Sequence, residues 1–306
     1  LPQMASVSFD AAKPNKKVFD FRSDTVTKPT QQMLEAMISV EVGDDVKDDD
    51  PTVHKLQNRI AELCGKESAL FVCSGVMGNQ LSIRTHVTDC YSREVVLQEV
   101  IADYRSHVYK YELGGIAFHS GAQVQALHPP DNKMLTAEFI EKHIHSANNL
   151  HYPLTTIISL ENTLNGAVFS LEEIKKIRAL ADKYKLKLHC DGARLWHACI
   201  ATGLSLKELA EPFDSISMCF SKGLGTPVGS VLVGKTDFIN RARQYRKVFG
   251  GGWRQAGYLA SACLYALDNH WARLKDDHLN CRLLHQEVVK LGFKSEAPET
   301  NMIWVD

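Results

Sequence analysis

Asp191 closes the strand-like run LKLHCD, and Lys222 follows a second such run, SISMCFSK, just ahead of several glycines. A carboxylate and a primary amine placed this way are what pyridoxal phosphate chemistry requires. The amine forms a Schiff base with the cofactor's aldehyde, and the carboxylate keeps the pyridine nitrogen protonated, so that the ring can accept electrons from the Cα of an amino acid. A bare Ser-Lys-Gly is more commonly a solvated lysine in a turn. Here the flanks add weight: Ser217, Cys219 and Ser221 alternate with Ile216, Met218 and Phe220, and Gly223, Gly225, Pro227 and Gly229 then break the chain into a turn. Rigid backbone would hold such a lysine, and small neighbours would leave room for a ring.

Other places could also do chemistry. In SALFVCSGVMGNQ an apolar strand enters a helix through Ser74, Gly75 and Val76. Free N–H groups and the positive end of a helix dipole meet there, so the turn reads as a phosphate cradle or as a plain tight turn. His107, ahead of Gly114 and Gly115, reads as a structural imidazole or as a face stacked on an aromatic cofactor. Arg254 follows three glycines and is placed to meet a phosphate, whereas Arg243, Arg246 and Lys247 read as a solvated helix face. Asp44, Asp45, Asp48, Asp49 and Asp50 lack the sixth-position Gly and twelfth-position Glu of a calcium loop, and no metal site is expected.

The elements that must position these groups are legible in the period of the apolar residues. The run TTIISLE, the helical spacing of Leu171, Ile174, Ile177, Leu180 and Tyr184, and the run LKLHCD predict a βαβ unit with parallel strands. Ligands of such sheets gather at the carboxyl ends of strands, where Glu161 and Asp191 fall. Ser23, Asp24 and Thr25 stand before Pro29 and the helix-like run QQMLEAMISV; Val53, Leu56, Ile60 and Leu63 predict a helix stopped at Gly65. GSVLVG predicts a further strand, and two helices are expected on either side of residues 250–252.

Composition excludes several classes. The chain has 306 residues, 44% of them hydrophobic, with a formal net charge of -1, which gives no field to hold nucleic acid or an anionic membrane. No 18 apolar residues run together, and no charged start precedes an apolar core. Eight cysteines scatter without a C-x-x-C pair, as core thiols do in a reducing compartment, so a cytoplasmic protein is expected.

Taken together, DFRSDTVTKPT, GDDV, DPTV, GKESALFVCSG, SHVYKYELGG, LENTLNG, HCDGARLW, SKGLGTPVGSVLVG and GGGWRQAG resemble the L-threonine aldolase family, most closely its fungal members. The resemblance covers about residues 19 to 306 in one order. It implies the aspartate-aminotransferase-like fold (fold type I) of pyridoxal phosphate enzymes, an α/β architecture with a mostly parallel sheet flanked by helices and a smaller C-terminal domain. The expected division is a loose leader over residues 1–18, a cofactor-binding domain over 19–250, and the start of a smaller domain, apparently cut short, over 251–306. By motif match, Lys222 would carry the cofactor, Asp191 would pair with the pyridine nitrogen and His107 would stack on the ring. Ser23 and Arg194 would hold the substrate carboxylate, and Ser74, Gly75 and Val76 would lie at the phosphate, joined by Arg254 from a neighbouring subunit of a homodimer or homotetramer.

This sequence departs from the family's pattern in several places. Val76 stands where a threonine is usual, Lys47 with Asp48 where an aromatic residue is usual, and Leu164 where bacterial members have His. The stretch between His86 and His107 is several residues long for the family, and another carboxylate-binding Arg of the family falls past Asp306. The implied reaction is cleavage of L-threonine or a related β-hydroxy amino acid to glycine and an aldehyde. The competing reading is an alanine racemase of the same family, with Lys47, His107 or a tyrosine serving the ring face opposite Lys222. Against it, Lys47 reads more readily as a solvated, chemically idle partner of Asp44, Asp48 or Asp49.

Overall fold

The computed structural model describes residues 19–90, 97–130 and 133–305. The expected leader over residues 1–18, and part of the long stretch between His86 and His107, lie outside the described residues.

The helices, in chain order, are α1 (Gln31–Ile38), α2 (Pro51–Cys64), α3 (Gly75–Cys90), α4 (His107–Lys110), α5 (Ala137–Glu141), α6 (Leu171–Tyr184), α7 (Leu195–Thr202), α8 (Leu206–Ala210), α9 (Thr236–Val248), α10 (Gly257–Asn269) and α11 (Leu274–Lys290). The strands are β1 (Ser68–Val72), β2 (Gln98–Asp103), β3 (Gln123–Leu127), β4 (Leu154–Glu161), β5 (Lys187–Asp191), β6 (Ser215–Cys219) and β7 (Ser230–Gly234). They join in the order β1-β7-β6-β5-β4-β2-β3. Strands β2 to β6 run parallel to their neighbours in that block, and β7 is antiparallel to both β1 and β6. This is the mostly parallel sheet that the sequence predicts, and β4, α6 and β5 form the expected βαβ unit.

Strands β1 and β7 are nearly continuous apolar runs because helices cover both sides. Along β1 and β7, Phe71, Val231 and Val233 enter the main core, while Leu70, Val72 and Leu232 pack on the opposite face with Leu81 of α3 and Phe238, Ile239 and Ala242 of α9. Each fully buried Leu, Ile or Phe of this kind contributes about 1.5–3 kcal/mol relative to an exposed position.

One charged residue departs from expectation. Arg246 is no part of a solvated face, since its side chain is 3% exposed and its Nη2 lies 2.6 Å from Asp45. The helical period explains this, because Phe238, Ile239, Ala242 and Arg246 share the inward stripe of α9. Burial pushes Asp45 up and Arg246 down, so the pair weakens both charges while Nη1 donates to Phe71 O at 2.6 Å. The rest of the aspartate-rich loop serves structure as well. Asp50 caps α2 through the Thr52 and Val53 amides and accepts from Gly257 N, and Asp48 meets His54 and Arg243.

Six cysteines (Cys64, Cys190, Cys199, Cys219, Cys263 and Cys281) are buried free thiols and Cys73 is half-buried. Burial pushes Cys64 and Cys199 up to about 12, which keeps them chemically inert. Among the described residues no helix is long and apolar enough to cross a membrane. The last segment returns to the sheet's carboxyl edge: Thr300 Oγ1 donates to Gly166 O at 2.6 Å, and Trp304 Nε1 donates to Asn165 O at 2.9 Å.

Candidate active site

Parallel register delivers the acid and the amine to one edge. Glu161 and Asp191 are partners across β4 and β5, Asp191 partners Ser217 across β5 and β6, and Lys222 follows the end of β6. The Asp191 carboxylate is buried, with Oδ1 accepting from Ala193 N at 3.0 Å and Oδ2 from Asn79 Nδ2 at 2.8 Å. Both donors are neutral, and among the described residues no cation lies within ion-pair distance of it. Lys222 is half-buried, its carbonyl accepting from Thr27 Oγ1 at 2.8 Å, and no hydrogen bond to its ammonium is seen among the described residues. A buried carboxylate held by neutral donors and an amine without a hydrogen bond among the described residues suit a protonated pyridine and a Schiff base.

His107 stands at the start of α4. Its backbone N–H donates to Glu161 Oε2 at 2.6 Å, and its Nδ1 lies 2.8 Å from Glu112 Oε1. Glu112 also accepts from Asn79 Nδ2 at 2.9 Å and from Gln80 Nε2 at 2.6 Å. Burial, then the charge of Asp191, pushes Glu161 up to about 8, against the pull of the His107 amide. Behind Asn79, His189 lies 3.1 Å from its Oδ1 and 2.9 Å from Ser215 Oγ, and His86 lies 2.8 Å from the same hydroxyl. Burial depresses His189 to about 4 and His86 to about 3, so both imidazoles are neutral.

Arg194, just after β5, meets Asp24 with Nε to Oδ2 at 2.7 Å and Nη2 to Oδ1 at 2.5 Å. One edge of the guanidinium is therefore taken, and Nη1 lies outside this pair. Ser23 is next to Asp24, its Oγ accepting from Thr25 N at 3.2 Å. Ser23, Asp24, Arg194, Gly223, Asn301 and Trp304 all line one cleft of ≈ 690 Å³. That cleft is large enough for an amino acid.

At the third corner, Ser74 Oγ accepts from Met77 N at 3.1 Å and Ser74 O accepts from Gly78 N at 3.1 Å. The amides of Gly75 and Val76 remain at the open end of α3, where a helix has no partners of its own. A Cβ on Gly75 would come within 2.6 Å of Cys219 Sγ, so glycine is required there. Arg254 is not brought to this turn within the chain. It is 57% exposed and its Nη1 donates to Asp44 at 2.7 Å. Lys47 is exposed.

The profile of the Beta-eliminating lyase family matches residues 20–306. The chain belongs to the Beta-eliminating lyase family. Among its relatives within this lyase family, the low specificity L-threonine aldolase of Escherichia coli K12 is 42% identical over 94% of this chain and 84% of that protein. The low specificity L-threonine aldolase of Saccharomyces cerevisiae is 41% identical over 94% of this chain and 73% of that protein. The solved threonine aldolase of Leishmania major superposes with a TM-score of 0.79 at 21% identity, covering 93% of this chain and 83% of that one, and shares the fold. The fold expected from the sequence is therefore the fold found, that of type I pyridoxal phosphate enzymes. Nothing in these likenesses supports the racemase reading.

For this lyase, sequence reasoning singles out Lys222, Asp191, Arg194, Ser23, His107 and the Ser74 turn. It misses Asp24, Asn79 and Glu112. Glu112 lies in the quoted SHVYKYELGG and Asp24 in FRSDT, so the residues were in view. Their roles depend on partners far away in the chain, Asn79 and Asp191 being 112 positions apart.

Proposed function

We propose that this chain is a pyridoxal phosphate-dependent aldolase that cleaves L-threonine and related β-hydroxy amino acids to glycine and an aldehyde. The carrying observation is the buried Asp191, held by two neutral donors at the same carboxyl edge of the sheet that Lys222 follows, in a chain about 40% identical to low-specificity threonine aldolases.

In this reading Lys222 Nζ holds the cofactor covalently, Asp191 stabilises the protonated pyridine nitrogen, and the Gly75 and Val76 amides with Ser74 hold the phosphate. Bound pyridoxal phosphate supplies an electron sink for the pair left on the substrate's Cα. Arg194, through the edge that Asp24 leaves open, and Ser23 fix the substrate carboxylate. His107 takes the proton of the β-hydroxyl as the Cα–Cβ bond breaks, so the β-carbon leaves as the aldehyde carbonyl and Cα keeps the electron pair until a proton completes glycine.

A homo-oligomer would complete the phosphate site with Arg254 of a second copy. The exposure of Arg254 and of Leu113 and Phe118 (103% and 84%) on the segment that follows His107 supports that reading. Buried free thiols support a reducing, cytoplasmic setting. Incubating the purified protein with pyridoxal phosphate and L-threonine tests the proposal. Acetaldehyde and glycine in equal amounts are the expected result, and their absence overturns it.

A further inference from the structure

His107 and Asp191 are joined by two buried side chains, Glu112 and Asn79. We propose that these are positioning residues: Glu112 holds the His107 imidazole as its Nδ1–H tautomer, and the Asn79 amide ties Glu112 to Asp191, so that the two groups facing the cofactor ring are set as one unit. The inference rests on the pyridoxal phosphate reading above.

Hydrogen-bond polarity carries it. One amide atom of Asn79 lies 2.9 Å from Glu112 Oε1 and 2.8 Å from Asp191 Oδ2. Ionised carboxylates only accept, so that atom is Nδ2 and both of its hydrogens are used. Asn79 Oδ1 then faces His189 Nε2 at 3.1 Å, which must carry a hydrogen. A neutral imidazole has one donor, so His189 Nδ1 accepts from the Ser215 hydroxyl at 2.9 Å, and Ser215 Oγ accepts from His86 Nε2–H at 2.8 Å. The chain of donors runs in one sense only, and flipping Asn79 would set a carbonyl against two carboxylates.

At its other end, Glu112 Oε1 accepts from His107 Nδ1–H at 2.8 Å, and Oε2 accepts from Gln80 at 2.6 Å. In a neutral imidazole, fixing the hydrogen on Nδ1 leaves Nε2 as the nitrogen able to take a proton from a hydroxyl. Asn79, Glu112 and Gln80 are all buried, so the geometry is sheltered from water.

The test reads the tautomer and the kinetics separately. Ring-nitrogen correlation NMR of the cofactor-free protein should show His107 as Nδ1–H, moving to Nε2–H in Glu112→Ala and retained in Glu112→Gln, whose amide oxygen can still accept. In the loaded enzyme, kcat for L-threonine should fall about 30-fold or more in Glu112→Ala and Asn79→Ala, with KM changed less than about threefold, because proton transfer and not binding is lost. A merely structural role would lower the melting temperature and leave tautomer and kcat in place. If Glu112→Ala does not fold, Asn79→Ala decides on kcat. An unmoved tautomer in Glu112→Ala, or kcat within threefold of the parent in the deciding variant, overturns the proposal. The NMR arm needs neither cofactor nor cleavage, so a parent that cleaves no threonine overturns the aldolase reading while the tautomer result still decides the role of Glu112.

Discussion

Asp24 occupies one edge of the Arg194 guanidinium, with Nε to Oδ2 at 2.7 Å and Nη2 to Oδ1 at 2.5 Å, and Asn301 Nδ2 reaches the same carboxylate at 3.2 Å. An arginine clamped this way presents its other edge in one orientation. In the proposed reading Asp24 aims Arg194 at the substrate carboxylate instead of competing with it.

Removing that aim should show in binding and in stability. Burial opposes the charge of Asp24, but the Arg194 hydrogen bonds win and hold its carboxyl below the ordinary 3.8. A depressed carboxylate stabilises the fold above its unfolded pKa and loses that contribution as pH falls through the folded value. Asp24→Asn should therefore cost about 2–4 kcal/mol at pH 7, with the difference from the parent shrinking below about pH 4. Its KM for L-threonine should rise about tenfold or more. Urea melts at pH 7 and pH 3 with steady-state kinetics check both, and an unchanged KM would remove Asp24 from substrate binding.

Much of this arrangement is legible in the sequence, for physical reasons. Helix α6 and its strands show because period 3.6 and continuous apolar runs are local signals, and Asp191 and Lys222 show because strand ends are marked by the residues that follow. Helix α3 hides its work, since Asn79, Gln80, Ser82, Thr85 and His86 are polar yet buried, and only a sheet laid against them explains it. Arg246 misleads for the same reason: its partner Asp45 is supplied by a loop about 200 positions earlier, which no local period announces.

Glu161 should give the reverse pH dependence to Asp24. A carboxyl raised from 4.5 to about 8 contributes stability that is full below the unfolded value and is lost progressively as pH rises to about 8. The melting temperature of the cofactor-free parent should accordingly fall relative to Glu161→Gln between about pH 5 and 8. Parallel melting curves for the two proteins across this range would show that Glu161 is ionised at neutral pH.

The phosphate turn can be tested by one methyl group. Ala at position 75 would drive a Cβ to 2.6 Å from the Sγ of buried Cys219, so the turn or β6 must shift. Overpacking of this kind costs about 1–3 kcal/mol, and cofactor affinity should fall about tenfold or more as the amides lose their aim. Gly75→Ala that binds pyridoxal phosphate as tightly as the parent in equilibrium dialysis would place the phosphate elsewhere.

Asp191 and Lys222 carry the chemistry in the proposed reading, and each has its own test. Borohydride reduction of the loaded protein followed by peptide mapping should place the pyridoxyl group on Lys222, and Lys222→Ala should carry no label. Asp191→Asn should keep the fold, because its amide oxygen can still accept from one of the two neutral donors, but should lower kcat at least about a hundredfold, or 2.7 kcal/mol, since an amide cannot stabilise a protonated pyridine as a carboxylate does. The two substitutions fail in different ways, and that difference is informative. A label on another lysine would displace Lys222 while leaving Asp191 standing. Asp191→Asn activity within tenfold of the parent would mean that the buried carboxylate, with no cation beside it, serves the fold and not the ring.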